Sequence, residues 1–120
     1  MTTFNKLILS GSTDGRGIKV VQIATAGTTI HTGTSTASDY DEVWLYAFNG
    51  HTSAVLLTIE WGGVSVPDDN ISLTIPSKEG LVLAVPGLIL KGNATPLIIK
   101  AFAATGNVIV IYGFVNRIVA

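Results

Sequence analysis

The sequence predicts an all-β protein, an antiparallel β-sandwich of the jelly-roll kind that forms a single domain over residues 1–120. Thirteen glycines and four prolines interrupt the chain at short intervals. The segments between these breaks run for about five to ten residues and are rich in β-branched and aromatic side chains, as strands are. No segment carries the uninterrupted apolar period of an amphipathic helix. Short strands at this spacing are typical of sandwiches and barrels.

The first three predicted strands are separated by glycine-containing turns. Residues 11–17 divide the first strand from the second, and Gly27 divides the second from the third, since glycine accepts the backbone angles of tight turns. We therefore expect strands at residues 6–10, 18–25 and 28–32.

The next two strands follow a polar loop at residues 33–39 and differ in pattern. Residues 54–61 alternate as in a half-buried strand, with Leu57 and Ile59 on one face and Thr58 and Glu60 on the other. The preceding strand, residues 42–49, is apolar on both faces. The last four strands are expected at residues 71–75, 81–85, 97–104 and 108–118, with breaks at residues 67–70, 76–80, 86–87, 92–96 and 106–107.

Two strands, residues 42–49 and 108–115, have no polar face and therefore need cover on both sides. A second sheet, long loops or another subunit would supply that cover, and the low charge of the chain favours another subunit. The aromatic stripe of residues 42–49, formed by Trp44, Tyr46 and Phe48, has three interpretations, namely core, subunit interface or a stacking platform for sugars or bases. The candidate interface residues on these two strands are Trp44, Tyr46, Phe48, Tyr112 and Phe114.

The composition narrows the choice of partners. The chain is 48% hydrophobic and only 12% charged, against about 25% charged in an average domain. This small charge is too little to solvate the surface of a lone molecule comfortably, and it predicts that further copies of the chain or other partners cover part of the surface. Of these, we expect a homo-oligomer. The formal net charge of −1 provides no basic field, so direct binding of nucleic acid is not expected.

The chain contains no cysteine, which excludes disulfides and thiolate zinc sites. The longest apolar runs, residues 81–90 and 108–115, fall well short of the roughly 20 residues of a membrane helix, so no membrane association is expected. The apolar run at residues 7–9 is too short for the core of a signal peptide.

Two histidines, His31 and His51, are the candidate metal ligands, together with Asp39, Asp41 or Glu60 if the fold unites them. Their spacing does not require such a site, and ordinary strand and loop histidines are the alternative. No Gly-x-Ser-x-Gly elbow is present. We therefore predict no catalytic residue, no metal and no cofactor.

Two loops have both a ligand-binding and a structural interpretation. Residues 68–70, Asp-Asp-Asn, offer oxygen ligands for Ca²⁺ but lack EF-hand spacing and are more typical of a turn. Residues 14–17 contain glycines as phosphate-binding loops do, but lack their motifs, and a tight connection between strands is the better explanation.

The order of these segments resembles that of small virion structural proteins of tailed bacteriophages. The resemblance spans nearly all of the chain, although each part is a strand pattern and not a chemical signature. The resembling segments are SGSTDGRGIKV (10–20), TTIHT (28–32), DEVWLYA (41–47), LTIEWGG (57–63), VPGL (85–88), IKAFAA (99–104) and GFVNRI (113–118).

Within that group the chain is most similar to capsid decoration, or cement, proteins. The resemblance implies a non-enzymatic protein that binds the outside of an icosahedral shell, often as a homotrimer, with the major capsid protein as its partner. It further implies assembly in the bacterial host cytoplasm and a final place on the virion exterior. The alternative is a carbohydrate- or receptor-binding module of a phage fibre or tail, which predicts an exposed Trp44 or Trp61 beside polar groups.

Overall fold

A computed structural model describes residues 2–120, and over this range the protein is all-β, with nine strands and no helix. It therefore contains no helix that is long and apolar enough to cross a membrane. Two antiparallel sheets pack against each other, which confirms the predicted β-sandwich. The strands are β1 (Thr3–Ile8), β2 (Ile18–Lys19), β3 (Thr28–Thr32), β4 (Tyr40–Asn49), β5 (Val55–Trp61), β6 (Asn70–Ile75), β7 (Val82–Lys91), β8 (Ile98–Ala103) and β9 (Ile109–Val119).

The chain passes repeatedly between the two sheets. Sheet A has the strand order β1–β9–β4–β7, and the short β2 pairs with β9 next to β1. Sheet B has the order β3–β8–β5–β6. Most neighbours in each sheet are therefore distant in sequence, as β4 and β9 are.

The second predicted strand, residues 18–25, is wrong in its extent, because β2 ends at Lys19. After this point the chain leaves sheet A and crosses to sheet B. The amide of Val20 still donates to Ile109 of β9 (2.8 Å), whereas the carbonyl of Gln22 already accepts from Ala103 of β8 (3.1 Å). The apolar residues that suggested a longer strand line this crossing.

The predicted break at residues 86–87 is also wrong, since β7 continues through it to Lys91. Because β7 is the edge strand of sheet A, Pro86 has no second neighbouring strand to which an amide would have to donate. Gly87 adopts a φ of +76°, and the register shifts between Val43 and Trp44 as in a β-bulge. The first strand is likewise displaced, to Thr3–Ile8 from the expected residues 6–10.

The core lies between the sheets and takes one face of each strand. Along β4, the inward Val43, Leu45 and Ala47 are fully buried. Trp44, Tyr46 and Phe48 alternate with them and point outward, so the interpretation of this stripe as core is wrong. The other fully buried core side chains are Val20, Ile30, Leu57, Ile59, Ile75, Val85, Ile99, Ala101, Ala103, Ile109, Ile111 and Val115.

The outer face of sheet B is largely polar. Glu60 of β5 faces outward there but is covered by the β2–β3 connection. Its carboxylate accepts hydrogen bonds from the hydroxyl of Thr25 (2.5 Å) and the amide of Gly27 (2.7 Å). The cross-strand neighbours on this face include Ser72, Thr74 and Lys100.

Candidate functional site

A polar cluster joins the two sheets inside the sandwich. Asp41 of β4 is fully buried and accepts two hydrogen bonds from Arg117 of β9, at 2.7 Å to Nε and 2.9 Å to Nη2. His31 of β3, in the opposite sheet, lies 2.8 Å from the same carboxylate through its Nε2. The carboxylate therefore links three strands, and one of these belongs to the other sheet.

The hydrogen bonds of His31 define its tautomer. The amide of Ser10 donates to Nδ1 (3.1 Å), so this nitrogen must carry a lone pair. Nε2 then carries the proton and donates to Asp41. Both ring nitrogens of this buried histidine are thus occupied by bonds within the protein.

The environment of Asp41 favours its charged form. Burial raises the pKa of this carboxyl, but the hydrogen bonds from Arg117 and His31 and the positive charge of Arg117 outweigh burial and lower the pKa to about 2. The same contact with Asp41 raises the pKa of Arg117. The Asp41 carboxylate and the Arg117 guanidinium therefore form an ion pair, to which Nε2 of His31 is hydrogen-bonded.

This arrangement predicts that stability depends on pH in the acid range. Because the pKa of Asp41 is depressed from 3.8 to about 2 in the folded chain, its contribution is complete above about pH 4 and is lost as the pH falls through 2. The loss amounts to about 2 kcal/mol of unfolding free energy. Urea unfolding between pH 6 and pH 1.5 measures it. The Asp41→Asn variant should lack this component, and identical pH profiles for the two proteins would contradict the assignment.

The predicted metal ligands are only partly brought together. His31 contacts Asp41 at the beginning of β4, whereas His51 lies in the turn that follows the end of this strand. Since a strand rises about 3.3 Å per residue, His51 is roughly 25 Å from Asp41. Glu60 lies on the outer face of sheet B. Asp39 accepts a hydrogen bond from the amide of Ala120 at 3.1 Å. Among residues 2–120 no three His, Asp or Glu side chains are grouped as metal ligands would be.

The two ambiguous loops both form turns. Residues 66–69 form the turn between β5 and β6, where the Asp69 side chain accepts from the amide of Ser65 at 3.1 Å. Asp14 and Gly15 take φ angles of 56° and 84° in the connection between β1 and β2. These observations agree with the turn interpretation of each segment.

The five candidate interface residues lie together on the outer face of sheet A. Cross-strand pairs place Trp44 beside Phe114 and Tyr46 beside Tyr112, with Phe48 beside Val110. The edge strands add apolar side chains to the same face. We call this surface the aromatic face and define it by Ile8, Trp44, Tyr46, Phe48, Leu83, Pro86, Val110, Tyr112 and Phe114.

The centre of the aromatic face is an ordered stack of rings. The rings of Trp44 and Phe114 are 6.2 Å apart and within 12° of parallel. On one side of the stack, the ammonium of Lys6, on β1, lies 4.8 Å from the centre of the Phe114 ring. On the other side, the Trp44 indole lies against Gly87, where a Cβ would come within 2.8 Å of the ring.

A polar row borders this stack. Glu42 accepts hydrogen bonds from the indole Nε1 of Trp44 and from the side-chain amide of Asn116, both at 2.9 Å. These two donors lower the pKa of Glu42. One carboxylate oxygen of Glu42, Oε1, thus has two donors among its neighbours.

The opposite end of the aromatic face opens into a hollow of about 390 Å³, lined by Phe48, Gly80, Leu81 and Tyr112. Several apolar side chains of the sheet remain open to solvent around the stack, and Ile8 and Leu83 are 53% and 46% exposed. The inward faces of the doubly apolar strands are covered by sheet B. Within residues 2–120, no second layer covers the outward faces.

Arg117 is the site residue that the sequence analysis missed. The signal was present, because the alternation of β9 places Arg117 on the same face as the buried Ile111 and Val115. The alternation of β4 likewise places Asp41 on the inward side with Val43. Two opposite charges, each on an otherwise apolar inward face, predict a buried ion pair if the two strands are neighbours.

The protein is therefore an antiparallel β-sandwich with an ion pair between its sheets, a polar outer face on sheet B and an apolar outer face on sheet A. No protein-family model matches the chain, and no curated protein or solved structure matches it either.

Proposed function

We propose that this protein is a non-enzymatic virion structural protein that decorates and stabilises a phage capsid as a homo-oligomer, a trimer. The observation that carries the proposal is the contrast between the outer faces of the sandwich. Sheet B presents mainly polar side chains to water, apart from Leu56, Ile98 and Phe102, whereas sheet A presents a stacked pair of aromatic rings with open apolar neighbours. An apolar patch of this kind typically marks a protein interaction site.

The strand pairing supports a jelly roll in particular. The pairs β2–β9, β3–β8, β4–β7 and β5–β6 are those of one long antiparallel hairpin wrapped into two sheets. Such wrapping interlocks two Greek keys, an architecture found in viral capsid and lectin domains. It agrees with the resemblance to small virion proteins drawn from the sequence.

The interior cluster supports a structural role. The His31–Asp41 pair resembles the His–Asp part of a catalytic triad. However, both imidazole nitrogens are hydrogen-bonded within the protein, and the side chain is only 2% exposed. A general base must reach the proton that it abstracts. Here the histidine instead connects β3 to the carboxylate on β4, so its chemistry stabilises the contact between the sheets.

In this function the protein would act through its binding free energy and not through a chemical reaction. A protein that binds only the assembled, expanded shell stabilises that state by mass action. Copies placed across boundaries between major capsid proteins would add their binding free energy to the contacts of the shell and oppose internal pressure. The protein would be made in the cytoplasm of the bacterial host and end on the capsid exterior.

The test is to locate the protein in purified phage particles. We expect mass spectrometry to find it as a stoichiometric component, and electron cryo-microscopy to place it on the outside of the head. Shells stripped of it should release their DNA at a lower temperature, and adding it back should restore the higher one. Absence from purified particles would overturn the proposal.

A second candidate, a carbohydrate- or receptor-binding module of a fibre or tail, is favoured by one observation. Trp44 lies beside Glu42 and Asn116, which is the pairing of an aromatic ring with polar groups that sugar binding requires. Against it, the indole N–H is already bonded to Glu42. Trp61, the other tryptophan, packs against the core. Glycan-array binding that disappears in Trp44→Ala without loss of folding would favour this candidate.

A further inference from the structure

We infer that the aromatic face of sheet A is the surface through which copies of this chain bind one another, a second copy covering the face in each contact. The inference rests on the homo-oligomeric function proposed above and names the surface that it uses. It also assigns the capsid to another part of the molecule, because a face covered by a second copy is not free to bind the shell.

The area of the face matches what a stable contact between copies needs. The whole outer face of sheet A, four strands at about 4.8 Å spacing and ten residues at about 3.3 Å, has a projected area of roughly 600 Å², which includes the polar border. A standard interface buries about 800 Å² of accessible surface on each partner, which is of the same order once the relief of the side chains is counted. The largest apolar patch on a typical monomer is about 300–600 Å², so a face of roughly 600 Å² is at the upper end of that range.

The composition of the face is that of an interface centre with a polar border. Trp44, Tyr46, Tyr112 and Phe114 are residue types enriched at interface cores. Two charged side chains beside the face are held by their neighbours, since Glu42 accepts two hydrogen bonds and Lys6 lies over the Phe114 ring. Exposed Lys19, which pairs with Val110, belongs to the polar border. Oε1 of Glu42 keeps both donors when the face is covered, which reduces the cost of burying this charge.

The two ends of the face also complement each other, as the repeated head-to-tail contact of a closed ring of three copies requires. The hollow between Phe48, Leu81 and Tyr112 is an apolar depression at one end of the face. Ile89, near the other end of β7, is 50% exposed and shares this outer face through its pairing with Glu42. A second copy supplies both a depression and an exposed apolar side chain, and energetically dominant contacts are typically side chains seated in such depressions.

A matched pair of substitutions tests the inference. Leu83 on the aromatic face is 46% exposed, and Leu56 on the outer face of sheet B is 47% exposed. In size-exclusion chromatography with light scattering at micromolar concentration, we expect wild type and Leu56→Glu to be oligomers of the same mass. Leu83→Glu should dissociate to monomers, with at least a tenfold weaker association constant by sedimentation. A monomeric wild type, or equal behaviour of the two variants, would overturn the inference.

Cysteine cross-linking provides a second measurement that needs no loss of association. Because the chain has no cysteine, Leu83→Cys and Leu56→Cys each carry a single thiol. A short bis-maleimide should link copies of Leu83→Cys into covalent dimers at low protein concentration and leave Leu56→Cys unlinked. Equal linking of both variants would contradict a contact through sheet A.

These results separate the inference from the proposed function. A protein that is present on virions but monomeric in solution would overturn the contact between copies and leave the decoration function in place, with the aromatic face then facing the capsid. A protein that associates through sheet A but is absent from particles would overturn the decoration function and leave the contact between copies in place.

Discussion

Replacing Asp41 by asparagine should lower the free energy of unfolding by about 3 kcal/mol at pH 7, as loss of one partner from a buried ion pair typically does. The carboxylate accepts three hydrogen bonds, from Nε and Nη2 of Arg117 and from Nε2 of His31. Asparagine has only one accepting oxygen. Its NH2 group would face N–H donors of Arg117 or His31 and could not accept a hydrogen bond from them. The loss is limited because the Arg117 side chain is 26% exposed and can turn partly to water.

Urea unfolding at fixed protein concentration measures this change, because association of copies makes apparent stability depend on concentration. The control is Asp68→Asn, the same chemical change at an exposed turn residue, for which the expected shift is within about 0.5 kcal/mol. A loss of similar size in both variants would mean that the cluster between the sheets contributes no special stability.

Replacing Gly113 by alanine should have a comparable effect, a loss of about 3 kcal/mol, through steric overlap rather than charge. Gly113 pairs with Leu45 in the middle of sheet A. A Cβ at this position would overlap the carbonyl oxygen of Trp44 and lie 3.2 Å from the Cα of Leu45. These are backbone atoms of β4, which is hydrogen-bonded to strands on both sides and cannot move aside locally.

This substitution should also disturb the aromatic face, because separating β4 from β9 separates Trp44 from Phe114. Tryptophan fluorescence of the folded variant should therefore change together with its stability. Gly50→Ala is the control, since a Cβ there would meet Phe48 and Val108 at ordinary contact distances of 3.4 and 3.6 Å. An unchanged unfolding midpoint for Gly113→Ala would show that β4 and β9 are less tightly paired than described.

The strands were predictable because their signals are local. Turn residues and two-residue alternation indicated all nine strands, and residues 28–32 matched β3 at both ends. The errors arose where neighbours decide the outcome. Pro86 would interrupt a central strand but is tolerated in β7 because this strand lies at an edge, and residues 20–25 have strand composition but cross between sheets.

The site was predictable only in part, for a related reason. The alternation of residues 42–49 and 108–115 predicted two strands with apolar residues on both faces, and the aromatic residues on one side of each were correctly grouped as candidates. The pattern did not show which side would face the second sheet. Inward Val43 and outward Trp44 are both apolar, so hydrophobicity alone does not assign the inner face.

The sequence by itself determined the fold class, the approximate strands and the excess of apolar surface, because these depend on residue types and their spacing along short segments. The tertiary structure alone decided which strands became neighbours, which apolar face was left without cover, and that Asp41 and Arg117, 76 positions apart, form an ion pair joined by His31. Strand pairing between distant segments depends on the combined packing of both sheets, and no local pattern contains that information.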